Sequence, residues 1–173
     1  CVNEAGEAVR KALIWADMRA VEQQRQIGER ISAADFYRIT GHRLSPSYGG
    51  QKLMWVKEHE PEAYKRTYKF LNAKDYIILK MTGNFVTEYT DASSTCLLNL
   101  DKLQWSDTLL EAMGIGREKL PELHPSTDVA GVVTAGAAKE LGLLSGTPVV
   151  CGGGDGVCAA IGTGCVSEGV AHS

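Results

Sequence analysis

Two short segments carry residue types that could do chemistry. The first is Gly152-Gly153-Gly154-Asp155-Gly156, which follows the apolar run Thr147-Pro148-Val149-Val150-Cys151. Residues without a Cβ let a ligand approach the backbone closely, and open α/β folds bind ligands at the carboxyl ends of their strands. An acid at that place would project into a cleft. Asp155 would equally serve as the cap of the next helix, with the glycines forming a tight turn, and the two roles are compatible. Gly154-x-Gly156-x-x-Ala159 also matches the dinucleotide-binding fingerprint formally. That fingerprint requires a second strand and an acid about 20 residues further on, which is not reached before Ser173, and an acid inside the turn would repel a pyrophosphate.

The second segment is Trp15-Ala16-Asp17-Met18-Arg19. Read as the end of a strand, its alternation puts Trp15, Asp17 and Arg19 on one face. That combination suits a sugar, because an aromatic face packs on C–H groups while a charged pair hydrogen-bonds hydroxyls. The same residues would also fit a core tryptophan beside an ordinary surface ion pair.

The elements that must position these residues follow from pattern. Cys1-Val2, a turn over Asn3–Gly6 and Ala12–Trp15 read as a hairpin or meander. Ala20–Ile31 reads as a helix, and Ser32 caps a second helix, Ala33–Ile39, that stops at Gly41. After a loop from His42 to Gly50, Gln51–His59 is helical with Leu53, Trp55 and Val56 on one side, and Pro61 restarts a helix through Tyr68. Ala73–Thr82 is a helix ended by Gly83. Thr90–Thr95 is small and hydroxyl-rich, suited to a capped turn or a close backbone contact, and Ser106 caps Asp107–Met113. The chain then changes character. Val129–Val133 is strand-like, Thr134 caps Ala135–Leu141 before Gly142, and Thr147–Cys151 is a second strand, so the closing order is β-α-β, then a helix, then a strand. The class is α/β with a helical insertion in the middle.

Composition narrows the function. The chain has 173 residues, 44% of them hydrophobic, and 18 Lys and Arg against 21 Asp and Glu leave a formal charge of −3. No basic stripe suits a nucleic acid, and no apolar run approaches the ~18 residues of a membrane span. With no signal-like start at Cys1, a cytoplasmic location is expected. The five cysteines, Cys1, Cys96, Cys151, Cys158 and Cys165, form no C-x-x-C pair and an odd count, which favours reduced thiols over a disulfide framework. Cys151, Cys158 and Cys165 are expected to be small buried thiols. His42, His59, His124 and His172 show no ligand spacing, so no transition metal is expected. Opening at Cys1 and closing at Ser173 beside strand-like runs, the sequence reads like a piece of something longer.

Five segments in this order carry a resemblance: Trp15-x-Asp17-x-Arg19, Lys52-Leu53-Met54-Trp55-Val56-Lys57-Glu58-His59, the helix from Lys74-Asp75-Tyr76 to Thr82-Gly83, Thr90-Asp91-Ala92-Ser93, and Gly152-Gly153-Gly154-Asp155. Together they resemble the FGGY carbohydrate kinases, most of all the xylulose-phosphorylating branch, across essentially the whole chain.

The resemblance implies an actin-like, ribonuclease-H-like fold with two domains around a cleft, where ATP with Mg²⁺ phosphorylates a sugar hydroxyl, most readily that of a ketopentose such as D-xylulose. It makes residues 1–173 the later part of the N-terminal, sugar-binding domain, with the nucleotide domain outside this chain. The chain by itself would then be inactive. It places the catalytic base on Asp155 and the substrate-contacting tryptophan on Trp15; the residues themselves add Asp17, Arg19, Gly154 and Gly156 as expected substrate contacts, with a small sugar or polyol as partner and a homodimer as an open assembly. Phosphoryl transfer through a loose transition state needs little covalent help, so a carboxylate need only accept the hydroxyl proton.

Two positions depart from the family pattern. Gly49 stands where Pro, Ser or Thr usually precedes Lys52 by three residues, and Gly156 stands where xylulose and glycerol kinases usually have Asn or Gln. Asp155-Gly156-Val157 is more like the gluconate kinases, which keeps gluconate or another polyol open as the substrate. A non-catalytic sugar-binding module is the alternative if the chain is natively this short.

Overall fold

The structure is a computed structural model that describes residues 1–170; His172 and Ser173 lie outside them. The amino-terminal turn over Asn3–Gly6 forms as expected, the Gly6 N–H donating to the Asn3 carbonyl at 3.0 Å. Val2 bridges to Ala8, and Gly6 takes a left-handed φ of 72° to close the turn. Ala12–Trp15 forms no strand. The N–H of Asp17 donates to the carbonyl of Ile14 at 3.0 Å, so Trp15 and Ala16 occupy the centre of a reverse turn instead.

Helices α1 (Val21–Arg30), α2 (Ala33–Thr40), α3 (Gly49–His59), α4 (Pro61–Arg66) and α5 (Ala73–Thr82) follow. Local chemistry explains their ends. Ser32 accepts the Asp35 N–H at 3.0 Å, and Gly41 and Gly83 close α2 and α5 in the left-handed conformation. Helix α4 stops at Arg66 rather than Tyr68, because the N–H groups of Tyr68 and Lys69 both turn to the carbonyl of Val2. A long-range backbone bond therefore competes with the last helical turn.

Next come β1 (Val86–Glu88), α6 (Tyr89–Ser93), β2 (Leu98–Asn99), β3 (Gln104–Trp105), α7 (Asp107–Met113) and, after a 3₁₀ turn at Arg117–Lys119, β4 (Glu122–His124). Strand β1 pairs with β4 in parallel, and β2 with β3 antiparallel. The chain closes with β5 (Val129–Val132), α8 (Ala135–Leu141), β6 (Pro148–Val150) and α9 (Asp155–Gly162).

The order β5, α8, β6, α9 is as expected. Val132 pairs with Pro148, so β5 and β6 are antiparallel and α8 fills a long hairpin loop. Two expectations are corrected here. No strand forms over Thr163–Val170, where a strand-like run finds no ladder partner among the described residues. Of the three late cysteines, only Cys151 is buried. Cys158 is exposed and Cys165 partly so, because α9 buries none of its residues.

Two cores result. The larger joins Ile27, Phe36, Met54, Leu97, Leu109 and Met113 from the helical half. The smaller joins Ile78 of α5, Val86 of β1, Ala130 of β5 and Cys151, and so seats the end of β6 immediately before the glycines. No helix among the described residues is long and apolar enough to cross a membrane.

Because Ile78 is buried at the centre of that smaller core, Ile78→Ala should destabilise the protein by about 2–5 kcal/mol, the usual cost of such a cavity. Urea unfolding measures it. A loss below about 0.5 kcal/mol would show that this core does not hold the β6 end.

Candidate active site

Glu88 ends β1 with 0% of its surface exposed. A carboxylate cannot stay there without donors, and four are present. The Ser126 hydroxyl (2.7 Å), the Thr90 N–H (2.8 Å), the Thr90 hydroxyl (2.7 Å) and the Asp91 N–H (2.8 Å) all donate to it. Burial works against the charge, but the donors of Ser126, Thr90 and Asp91 outweigh it and hold the Glu88 carboxyl below its usual range.

Lys74, in the first turn of α5, reaches the same place. Its Nζ lies 3.0 Å from Asp75, 3.4 Å from Asp91 and 3.8 Å from Glu88. It also donates to the Cys151 carbonyl at 3.1 Å. Burial disfavours this ammonium, and the three carboxylates overcome that and push its pKa up. Asp75 and Asp91 are pushed up in turn, burial being the larger cause in each.

This network carries the glycine turn. The Gly152 N–H donates to the Ser126 carbonyl at 3.0 Å, and the Gly154 N–H donates to the Thr90 hydroxyl at 2.8 Å. Gly152 needs its freedom, at φ 71°. Asp155 is the first residue of α9, and the cap position belongs to Gly154. The Asp155 side chain is therefore not the cap. Its Oδ1 accepts the N–H of Gly156 at 2.8 Å, its Oδ2 accepts no hydrogen bond from the described residues, and the residue is exposed. The dinucleotide alternative also falls. The amides of Gly152, Gly154 and Gly156 that a pyrophosphate would need already have protein acceptors.

The Trp15 segment stands apart. No hydrogen bond or ion pair among the described residues joins it to Gly152–Gly156. Trp15 is 86% exposed, which removes the core-tryptophan alternative. Its turn is held from below by Lys52, a mostly buried lysine that donates to the carbonyls of Ile14 (2.8 Å) and Trp15 (3.4 Å). Burial lowers the Lys52 pKa, while Asp17 opposes that. Asp17 and Arg19 do pair, with Arg19 Nε at 2.9 Å from Oδ1, and the pair holds the Asp17 carboxyl below its usual range. Arg19 lies over the Trp55 ring at 4.6 Å, and Trp55 stacks on His59 at 4.6 Å. An exposed aromatic is thus presented beside an ordered ion pair, by a turn rather than by strand alternation.

Glu88, Lys74 and Lys52 were not singled out as functional from the sequence. A faint signal existed for Glu88, an acid two residues before the hydroxyl-rich turn, where it can accept turn amides. For Lys74 and Lys52 only the family-like segments pointed there. Among the described residues no group of three or more His, Cys, Asp or Glu side chains is arranged to hold a metal ion.

Residues 1–162 match the model of the FGGY family of carbohydrate kinases, N-terminal domain. A xylulose kinase of Bacillus subtilis (strain 168) is 38% identical over 97% of this chain and 34% of its own length. Among solved structures, a ligand-bound xylulose kinase and a gluconate kinase, both from Lactobacillus acidophilus, each superpose with a TM-score of 0.84 at 32% identity, over 93% of this chain and 33% of theirs. The chain spans about a third of the length of the curated relatives it matches.

The Glu88 network has a definite pH signature. Hydrogen bonds to a charged group contribute about 1.5–3 kcal/mol, so Glu88→Gln should destabilise the protein by roughly that much at pH 7. A depressed folded pKa gives stability that is full above the ordinary value of 4.5 and is lost as pH falls through the lower folded value. The difference between wild type and variant, followed by urea unfolding, should therefore shrink below about pH 4. A difference independent of pH would mean that the Glu88 charge is not what the donors hold.

Proposed function

This chain belongs to the FGGY family of carbohydrate kinases, and from that premise we propose that it is the later part of the sugar-binding domain of a kinase in which Asp155 is the catalytic base. The fold it belongs to is the actin-like, ribonuclease-H-like one. Kinases of the family use ATP, generally with Mg²⁺. The substrate we assign is a ketopentose such as D-xylulose, in keeping with the Bacillus subtilis relative's being a xylulose kinase.

The observation that carries the reading is the presentation of Asp155. It stands exposed at the carboxyl end of β6, one oxygen tied to Gly156 and the other left to accept from a ligand. Bound ATP supplies the phosphoryl group. The sugar hydroxyl oxygen forms the new bond to the γ-phosphorus, the bond from that phosphorus to the bridging oxygen breaks, and the hydroxyl proton passes to the Asp155 carboxylate. Trp15 offers its face to the C–H side of the sugar, and the Asp17–Arg19 pair offers directional hydrogen bonds to hydroxyls. Gly154 and Gly156, lacking side chains, leave room for the sugar beside Asp155.

Gly156 favours a second substrate, gluconate or another polyol, since no amide side chain follows the base, and one of the structural matches is a gluconate kinase. Phosphorylation of a panel of ketopentoses, polyols and gluconate by the full-length kinase distinguishes the two.

In that enzyme Asp155→Asn should lower kcat by at least ~10²-fold, because the proton acceptor is gone. Its stability should change by less than ~1 kcal/mol, as the amide oxygen can still accept from Gly156. Near-normal turnover at saturating sugar and ATP, with chemistry shown to limit the rate, would remove the base assignment.

Trp15→Ala should weaken sugar binding by roughly 1–3 kcal/mol, a typical loss for an aromatic contact. Folding stability should stay within about 0.5 kcal/mol, since the side chain is already in solvent. Calorimetric titration with the sugar and a thermal melt check both, and an unchanged sugar Kd would take Trp15 out of the site.

A further inference from the structure

The backbone that carries Asp155 has little of its own to hold it in place. Three consecutive glycines precede it, and glycine is the most permissive residue in backbone conformation. The restraint comes from outside, through Gly154, the residue just before Asp155. A threonine hydroxyl has one hydrogen and two lone pairs. Thr90 directs its hydrogen to Glu88 Oε1 at 2.7 Å, which leaves only acceptor capacity on the side that meets the Gly154 N–H at 2.8 Å. Glu88, with four donors around it and no hydrogen to give, determines this polarity. A Cβ built on Gly153 or Gly154 would lie 3.6 or 3.5 Å from the Thr90 hydroxyl, in ordinary van der Waals contact.

We propose that Thr90 is a positioning residue for phosphoryl transfer: Glu88 orients its hydroxyl, and that hydroxyl fixes the backbone from which α9 begins and the Asp155 carboxylate is presented. The assignment rests on the reading of Asp155 as the base. Helix α9 buries no residue of its own, so its start is held by this contact and by the backbone bonds of Gly152 to Ser126 and of Cys151 to Lys74 and Asp128. Lys74 and Ser126 secure the strand end, while Thr90 alone among them reaches the residue next to Asp155.

The test uses Thr90→Val, which removes the hydroxyl at nearly constant shape, and Thr90→Ser, which keeps it, both in the full-length kinase beside Asp155→Asn. A misplacement near 1 Å can cost about 10²-fold, so Thr90→Val should lower kcat by roughly 10- to 100-fold per folded enzyme while changing the sugar KM by less than about threefold. Thr90→Ser should stay within about threefold of wild type in both. A kcat for folded Thr90→Val within about threefold of wild type, with Asp155→Asn inactive, would overturn the positioning role and leave the base standing. An active Asp155→Asn would overturn both.

Should Thr90→Val not fold, amide exchange at Gly154 in the wild-type kinase decides. Slow exchange supports the hydrogen bond from Gly154 to Thr90, and exchange at the rate of an unprotected amide overturns it.

Discussion

A carboxylate with no solvent exposure has to be surrounded by donors, and Glu88 gathers its donors from segments far apart in the chain. Ser126 comes from the loop after β4, Thr90 and Asp91 from the first turn of α6, and Lys74 approaches from α5. Three of these residues also hydrogen-bond the last part of the chain: Ser126 with Gly152, Thr90 with Gly154, Lys74 with Cys151. The need to satisfy one buried charge thereby builds the floor on which the glycine turn rests.

A similar arrangement holds the Trp15 turn. Lys52 is mostly buried, and its ammonium is satisfied by backbone carbonyls of a turn that has no secondary structure of its own. In both places a long charged side chain on a helix organises an irregular segment that carries the exposed group. Helices α3 and α5 are rigid because they pack on the two cores, so each turn inherits its position from a packed element. The proposed functional groups, Trp15 and Asp155, both stand exposed.

The electrostatics of the Lys74 cluster follow from its charge count. One ammonium faces Asp75, Glu88 and Asp91, so the three carboxylates cannot all be neutralised by it. Glu88, which has the most donors, keeps the charge most easily, while burial pushes Asp75 and Asp91 the other way. Hydrogen bonds rather than the ion pair thus decide which carboxyl carries the charge, as expected where desolvation offsets much of the Coulombic gain.

What depends on neighbours a few residues apart could be read directly from the sequence. The caps at Ser32, Ser106 and Thr134, the stops at Gly41, Gly83 and Gly142, and the helices between them all appear as expected. So does the succession of apolar strand, glycines and acid that puts Asp155 after β6, because each rests on an interaction within one turn of chain. The order of family-like segments was equally plain.

Only the tertiary structure decided that β5 and β6 run antiparallel, that Trp15 sits in a turn rather than a strand, and that α4 ends early on Val2. It alone brought Thr90 to Gly154, 64 residues away, and buried Glu88 beneath them. Strand pairing and the solvation of a buried charge are settled between segments distant in sequence. Local periodicity carries no record of which partner each will find.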